Sequence, residues 1–386
     1  MKEIPLSAPV LDIDILGNIR ECIETGWVST GGRFITEFEQ YVAKYVGAED
    51  AASMQSGTAG LHLALAVLGV ERGDEVIVPT LTFIAAVNPV KYIGAEPVFM
   101  DCDDSLCIDP EKLENFCNSN CRLTESGLVN NLTNRKIAAI IVVHVFGNMA
   151  DMERIMEIAG KYRLKVIEDA TEALGTYYTE GQYKGKFAGT IGDIGVYSFN
   201  ANKIITTGGG GMMVSKHQEC LDKARYLSTT AKDDALYFVH DEVGYNYRML
   251  NIQAAFGVSQ ITQLESFIAI KKKNYERYKD LLCGEDGITM LSFDERTRPN
   301  YWFYSIYVDK FAYGMDRDGL MEKLLKANIG CRPVWKLIHT QKPYLSALRI
   351  DSEKAEDYVS NVLNVPCSVN LSIEQIEYIC GTIRAK

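Results

Sequence analysis

The 386-residue sequence has no apolar run approaching the ~20 residues needed to span a bilayer. Its opening, Met1-Lys2-Glu3-Ile4-Pro5, lacks the apolar core of a signal peptide. The longest strongly apolar run, Ile137 to Val145, has the length of a strand and is interrupted by His144. A soluble, cytoplasmic chain without a membrane partner is expected. Excess positive charge is also missing: 51 acidic residues against 40 basic ones leave a net charge of −11, which disfavours a general nucleic-acid binder. A local basic pocket for one phosphate compound stays compatible with that balance. Paired metal knuckles are absent as well. Cys102, Cys107, Cys117 and Cys121 cluster, but only the last two are closely spaced, as Cys-x3-Cys, and a chain of this length needs no disulfide staples. Reduced thiols and no metal are expected. Finally, no Gly-x-Gly-x-x-Gly opens a strand-to-helix turn, and the glycines 208–211 are not followed by Lys-Ser/Thr. Nicotinamide and P-loop nucleotide sites are therefore unsupported.

What is present is an alternation of helical and strand-like segments from about residue 35 to 215, the pattern of a layered α/β domain. Phe34–Val46 has helical periodicity, and Ala59–Gly69 is a compact apolar helix. Glu75–Pro79 and Glu96–Met100 read as short strands, with Thr82–Ile93 as a helix between them. Ile137–His144, Leu164–Glu168 and Gly192–Phe199 read as strands, the first two being near-continuous apolar runs of the buried parallel kind. After about residue 250 the pattern changes to one or two long helices over 252–278, whose lysine run 271–273 reads as a solvated face. A strand, a helix and a short strand follow, giving a smaller α+β domain. The expected division is 1–254 and 255–386.

Chemistry concentrates in Ser198-Phe-Asn-Ala-Asn-Lys203, which leaves a strand just before the turn Gly208–Gly211. Burial lowers a lysine pKa, and a neutral amine attacks an aldehyde to form a Schiff base. By itself Lys203 reads as a surface residue. Asp169 ends the strand before Ala170, where open α/β sheets bind ligands. A carboxylate there can hold a proton on a pyridine nitrogen, or merely cap the next helix. Ser56-Gly57-Thr58-Ala59 leads into a helix, whose free N–H groups and positive dipole end can seat a phosphate.

Together these segments resemble the nucleotide-sugar aminotransferases of the DegT/DnrJ/StrS type, which use pyridoxal 5′-phosphate (PLP) on fold type I. The resemblance covers nearly the whole chain. It runs from Gly26-Trp-Val-Ser-Thr-Gly31 through Ser56-Gly-Thr-Ala, Pro79-Thr-Leu-Thr-Phe83-Ile-Ala-Ala, Glu168-Asp169-Ala and Ser198 to Lys203, and ends with Gly244-Tyr-Asn246-Tyr-Arg248-Met-Leu-Asn-Ile-Gln-Ala-Ala255. It implies a three-layer αβα large domain with a mostly parallel sheet, plus a smaller C-terminal α+β domain. It also implies that Lys203 is the Schiff-base lysine and proton shuttle, and that Asp169 pairs with the ring nitrogen. Gly57, Thr58, Ala59, Ser198 and Asn200 would hold the cofactor's phosphate end, and Phe83 would stack on its ring. Asn246 corresponds to the residue that relatives extend into a neighbouring subunit, implying a homodimer with shared sites. Trp27, Ser29, Arg248 and the 332–339 segment with His339 would lie near the sugar nucleotide.

Two departures stand out. Glu172 occupies a position, facing the cofactor's phenolic oxygen, where many relatives have Gln or His; a tuning role and a plain helix-surface glutamate both remain open. The turn Gly208-Gly-Gly-Gly stands where Gly-Glu-Gly-Gly is commoner, and resembles the branch of the bacillosamine and legionaminic acid pathways. The implied reaction moves an amino group from glutamate to C4 of a 4-keto-6-deoxy sugar nucleotide, with UDP the expected carrier. Transfer to C3 stays a competitor, as does a non-catalytic PLP-fold sensor. Sugar 3-dehydratases, which typically carry histidine in place of the lysine, are disfavoured by Lys203.

Overall fold

The computed structural model describes residues 3–11, 15–234 and 236–385. The apolar runs form buried parallel strands. Lys136–Val143 and Lys165–Asp169 pair in parallel at the centre of the large sheet. Glu75–Pro79 and Glu96–Met100 continue it on one side, and Ile194–Ser198 on the other. Such strands lack polar alternation because helices cover both faces. Gly211–Ser215 then runs antiparallel between Ile194–Ser198 and Ala51–Met54. The connection 199–210 folds back at the same end of the sheet it has just left, so the returning strand runs antiparallel. This is the α/β layered fold expected, with a mostly parallel central sheet.

A second, antiparallel sheet of Ile288–Met290, Tyr304–Val308, Val362–Val365 and Arg332–Pro333 lies in the C-terminal part. The helices Leu264–Leu282, Arg317–Lys326 and Ile373–Arg384 accompany it. The chain then returns once: Leu348–Ile350 pairs in parallel with Glu96–Met100, at the edge of the large sheet.

Two local expectations are corrected and one element is added. The segment 82–93 is not one helix but a 3-10 turn, Ile84–Ala86, followed by a short helix, Asn88–Tyr92. Pro89 lacks the N–H that a continuous helix would need from it. Residues 121–130 form a hairpin, Cys121–Thr124 with Gly127–Asn130, that the cysteine spacing concealed. Lys271 is not solvated: it is buried inside Leu264–Leu282, and its Nζ donates to the carbonyls of Trp302, at 3.1 Å, and Cys367. All ten cysteines are free, and among the described residues no group of three or more His, Cys, Asp or Glu side chains is placed to hold a metal. Among the same residues no helix is long and apolar enough to cross a membrane.

Candidate active site

The carboxyl ends of the central strands open onto a cavity of about 370 Å³, where a doubly wound sheet places its ligands. Asp169 closes the strand Lys165–Asp169 and Ser198 closes its neighbour Ile194–Ser198. From the antiparallel side comes the helix Gly57–Val67, its N-terminus directed at the same space. Lys203 arrives on the turn after Ser198, its backbone N–H bonded to the Asn200 carbonyl at 3.0 Å. That turn folds back because Gly208 (φ 77°) and Gly210 (φ 139°) adopt backbone conformations that side chains disfavour. A methyl at Gly210 would also stand 2.6 Å from Thr207 Oγ1.

Lys203 Nζ lies 3.6 Å from Glu172 Oε1 and 4.1 Å from the centre of the Trp302 ring. Trp302 is fixed from behind, its indole N–H donating to the Asn202 carbonyl at 2.7 Å and its own carbonyl held by Lys271. Glu172 is thus no surface residue. It is buried, and burial pushes its carboxyl up to about 7 against the pull of Lys203. Its other oxygen, Oε2, accepts the Phe146 N–H at 2.8 Å, which holds Phe146 in a left-handed backbone conformation (φ 56°). Asp169 is buried and raised by the same desolvation; hydrogen bonding from Thr171, whose N–H reaches Oδ1 at 3.1 Å, and the charge of Lys203 act in the opposite sense. Its neighbour Glu168 points to the other side of the strand. There it binds His144 Nε2 at 2.9 Å and the N–H groups of Gly189, Ile191 and Gly192.

Of the residues singled out from the sequence, Gly57, Thr58, Phe83, Asp169, Glu172, Ser198, Asn200 and Lys203 line this one cavity. Ala59 does not: its N–H is taken by Ser56 Oγ at 3.1 Å, capping the helix. Arg248 is turned away, paired with Glu39 at 2.8 Å behind the strand Ala51–Met54. His339 is buried between Thr80 Oγ1, at 2.6 Å, and Arg349, at 3.1 Å, outside the cavity lining. Trp27, Ser29 and Asn246 are exposed and lie outside it too. Sequence reasoning missed Thr171, Trp302 and Phe303, which also line it, and named Trp335 only as part of the 332–339 segment. Tryptophan scarcity was the available signal, since two of the chain's three tryptophans line this cavity.

The donor set fits PLP. A buried carboxylate faces the cavity for a ring nitrogen, and Lys203 offers an amine. At the helix N-terminus, Ser56 occupies the N–H of Ala59, while no acceptor among the described residues takes those of Gly57 and Thr58. The backbone there must stay bare, because a methyl at Gly57 would stand 2.9 Å from Thr171 Cγ2 and 3.1 Å from Ser198 Cβ. Bare N–H groups, a hydroxyl and a helix dipole together suit a phosphate.

Fold and site therefore define a PLP-dependent transferase of fold type I. Residues 9–384 match the model of the DegT/DnrJ/EryC1/StrS aminotransferase family. The chain is 37% identical to the GDP-perosamine synthase of Escherichia coli O157:H7, over 99% of this chain and 98% of that one. It is 30% identical to the UDP-4-amino-4-deoxy-L-arabinose–oxoglutarate aminotransferase of Shewanella sediminis (strain HAW-EB3), over 98% and 92%. Its fold superposes on the aminotransferase TlmJ of Streptoalloteichus hindustanus with a TM-score of 0.88 at 26% identity, covering 99% of this chain and 98% of that one. The chain belongs to the DegT/DnrJ/EryC1/StrS aminotransferase family, and is a PLP-dependent aminotransferase acting on sugar nucleotides.

Proposed function

We propose that the enzyme moves an amino group from glutamate to C4 of a UDP-linked 4-keto-6-deoxy sugar of the 2-acetamido-2,6-dideoxy-4-hexulose type. The observation that carries the transfer chemistry is the placement of Lys203 Nζ between Glu172, at 3.6 Å, and the Trp302 ring, on the cavity that also exposes Asp169. Transfer to C4 is supported by a relative whose name specifies a 4-amino-4-deoxy sugar. The 6-deoxy UDP sugar is supported by the Gly208–Gly211 turn and its resemblance to the bacillosamine and legionaminic acid branch. The relative at 37% identity is named for a GDP sugar, so the nucleotide is the first point to test.

When bound, PLP supplies an electron-withdrawing ring that acidifies the C–H beside the transferred nitrogen. Asp169 keeps a proton on the ring nitrogen, its buried carboxylate being most valuable when that nitrogen is positive. Lys203 Nζ would take the proton from the glutamate Cα in the first half-reaction and deliver a proton to the sugar C4 in the second. General acid–base transfer of this kind is worth about 10²–10⁴-fold in rate. Ser198 and the N–H groups of Gly57 and Thr58 anchor the phosphate, and Phe83 limits tilt of the ring. Glu172 tunes the phenolic side, its raised carboxyl able to carry a proton near neutrality.

The same reading makes the active unit a homodimer. Asn246, Trp27 and Ser29 face outward, and the segment before Asn246 exposes Leu236, Tyr237, Phe238 and Val243. Apolar surface of this kind commonly marks a contact, here with a second copy. The test is a panel of UDP, GDP and dTDP 4-keto sugars offered with glutamate. Products are read by mass spectrometry and their regiochemistry by NMR. A C4-amino UDP sugar is expected; amination confined to C3, or to GDP sugars, overturns the substrate assignment.

A further inference from the structure

From Lys203 an unbroken arc of aromatic rings runs to the mouth of the cavity. Trp302 lies under the amine and is stacked on Phe303, with centroids 4.0 Å apart and planes 9° apart. Phe303 meets Phe146 at 5.5 Å, Phe146 meets Trp335 at 4.8 Å, and Trp335 meets Phe83 at 6.5 Å. Trp335 is the member of the 332–339 segment that reaches the cavity; His339, four residues on, is tied down elsewhere. Its ring is half-buried, backed by Phe146, so one side remains open to a ligand. Phe146 in turn is held in its left-handed conformation by Glu172 Oε2, the carboxylate whose other oxygen faces Lys203. The reacting centre and this ring are thus fixed by one side chain.

The chemistry of a 4-keto hexose gives the arc a ligand. With C4 at the reacting amine, C5 is its direct neighbour and C6 hangs from C5. The wall that faces the C5 side of the reacting carbon therefore meets the C6 group, and Trp335, on the same cavity as Lys203, offers it an open aromatic face. Aromatic faces favour apolar C–H groups and offer a hydroxyl no hydrogen bond in exchange for its lost water. We propose that Trp335 is a specificity-determining residue that reads the C6 methyl of the sugar. It selects a 6-deoxy-4-keto hexose over the pentose that lacks C6. This inference rests on the sugar-nucleotide reading above and adds to it the residue that chooses among 4-keto sugars.

The test uses the holoenzyme with UDP-linked 6-deoxy-4-keto hexose and UDP-linked 4-keto pentose as alternative acceptors. One added carbon in an apolar pocket is typically worth about 10–200-fold in kcat/KM. Wild-type enzyme should therefore favour the hexose by about tenfold or more. In Trp335→Ala that preference should collapse towards unity, through a higher KM for the hexose. Trp335→Phe, which keeps an aromatic face, should retain most of it. The conversion of glutamate alone, followed by the cofactor's absorbance, should change less than the hexose step. A Trp335→Ala enzyme that keeps the wild-type preference overturns the inference, and so does equal loss for both sugars and for glutamate. A wild-type enzyme that aminates neither these sugars nor any other nucleotide sugar overturns the underlying reading together with it.

Discussion

Lys203, Asp169 and Ser198 are brought together by adjoining strand ends of one chain and the turn that follows them, whereas Trp27, Ser29 and Asn246 stand exposed outside the cavity those strands close. The floor forms once a single chain has folded: Asp169 is buried and Lys203 is backed by Glu172 and Trp302. The rim is supported through its backbone. The carbonyls of Trp27 and Ser29 accept from the side chain and the N–H of Asn251, and Asn246 bridges Thr229. The proposed homodimer would bring these exposed residues to a second copy's site.

The largest effect should come from the floor. In the proposed mechanism, Lys203→Ala removes both the covalent anchor and the proton carrier. Turnover should fall by at least about 10⁴-fold, while the variant still binds PLP or its amine form. Borohydride, which should fix the cofactor to the peptide containing Lys203 in the wild type, should leave that peptide unlabelled. Normal steady-state rates in the variant would dissolve the distinction between floor and rim altogether.

The next experiment joins the two regions. If Asn246 completes a neighbour's site, Lys203→Ala and Asn246→Ala proteins, each weak alone, should regain activity when unfolded and refolded as a mixture. Mixed dimers would then carry one site with both wild-type residues. No recovery, with dimers verified by sedimentation, would return Asn246 to an ordinary surface role.

A smaller effect separates Glu172 from its surroundings by pH. Its carboxyl is near 7 in the folded protein against the ordinary value of 4.5, so between those values the folded state binds the extra proton. Stability from this group is present at low pH and is lost as pH rises through 7. The difference in unfolding free energy between cofactor-free wild type and Glu172→Gln should therefore drift by up to about 3 kcal/mol between pH 4.5 and 8. A flat difference would show that Glu172 does not titrate in this range.

The smallest effect concerns the prop beneath Trp302. Lys271→Met leaves the buried carbonyls of Trp302 and Cys367 without their donor, a loss of about 1–3 kcal/mol. Denaturant melts should show a lower midpoint with an unchanged slope. An unshifted midpoint would mean that Trp302 stands without that prop.

Much of the floor was legible in the residues themselves. A lysine after a buried strand, an aspartate at a strand end and a small-residue turn before a helix each impose local geometry, and local geometry leaves a pattern in sequence. Lys271 shows where that legibility stops. It belongs to a run of three lysines that reads as solvent-facing, yet helical rotation turns its stem inward, and two carbonyls from distant segments receive it. Arg248 and His339 stop it likewise: both sit in matching motifs, and both spend their hydrogen bonds on Glu39, Thr80 and Arg349 rather than on the cavity.

The sequence by itself determined most strands and helices and the parallel sheet, and it placed Lys203 on the turn after a strand, because periodicity, glycine turns and strand-end residues act over a few neighbours. Only the tertiary structure decided that Glu172 faces Lys203, that Phe146 is held by it, and that Trp302 and Trp335 form the wall. Those contacts join residues 146, 172, 203, 302 and 335, and no short-range pattern encodes a meeting set by the packing of two sheets.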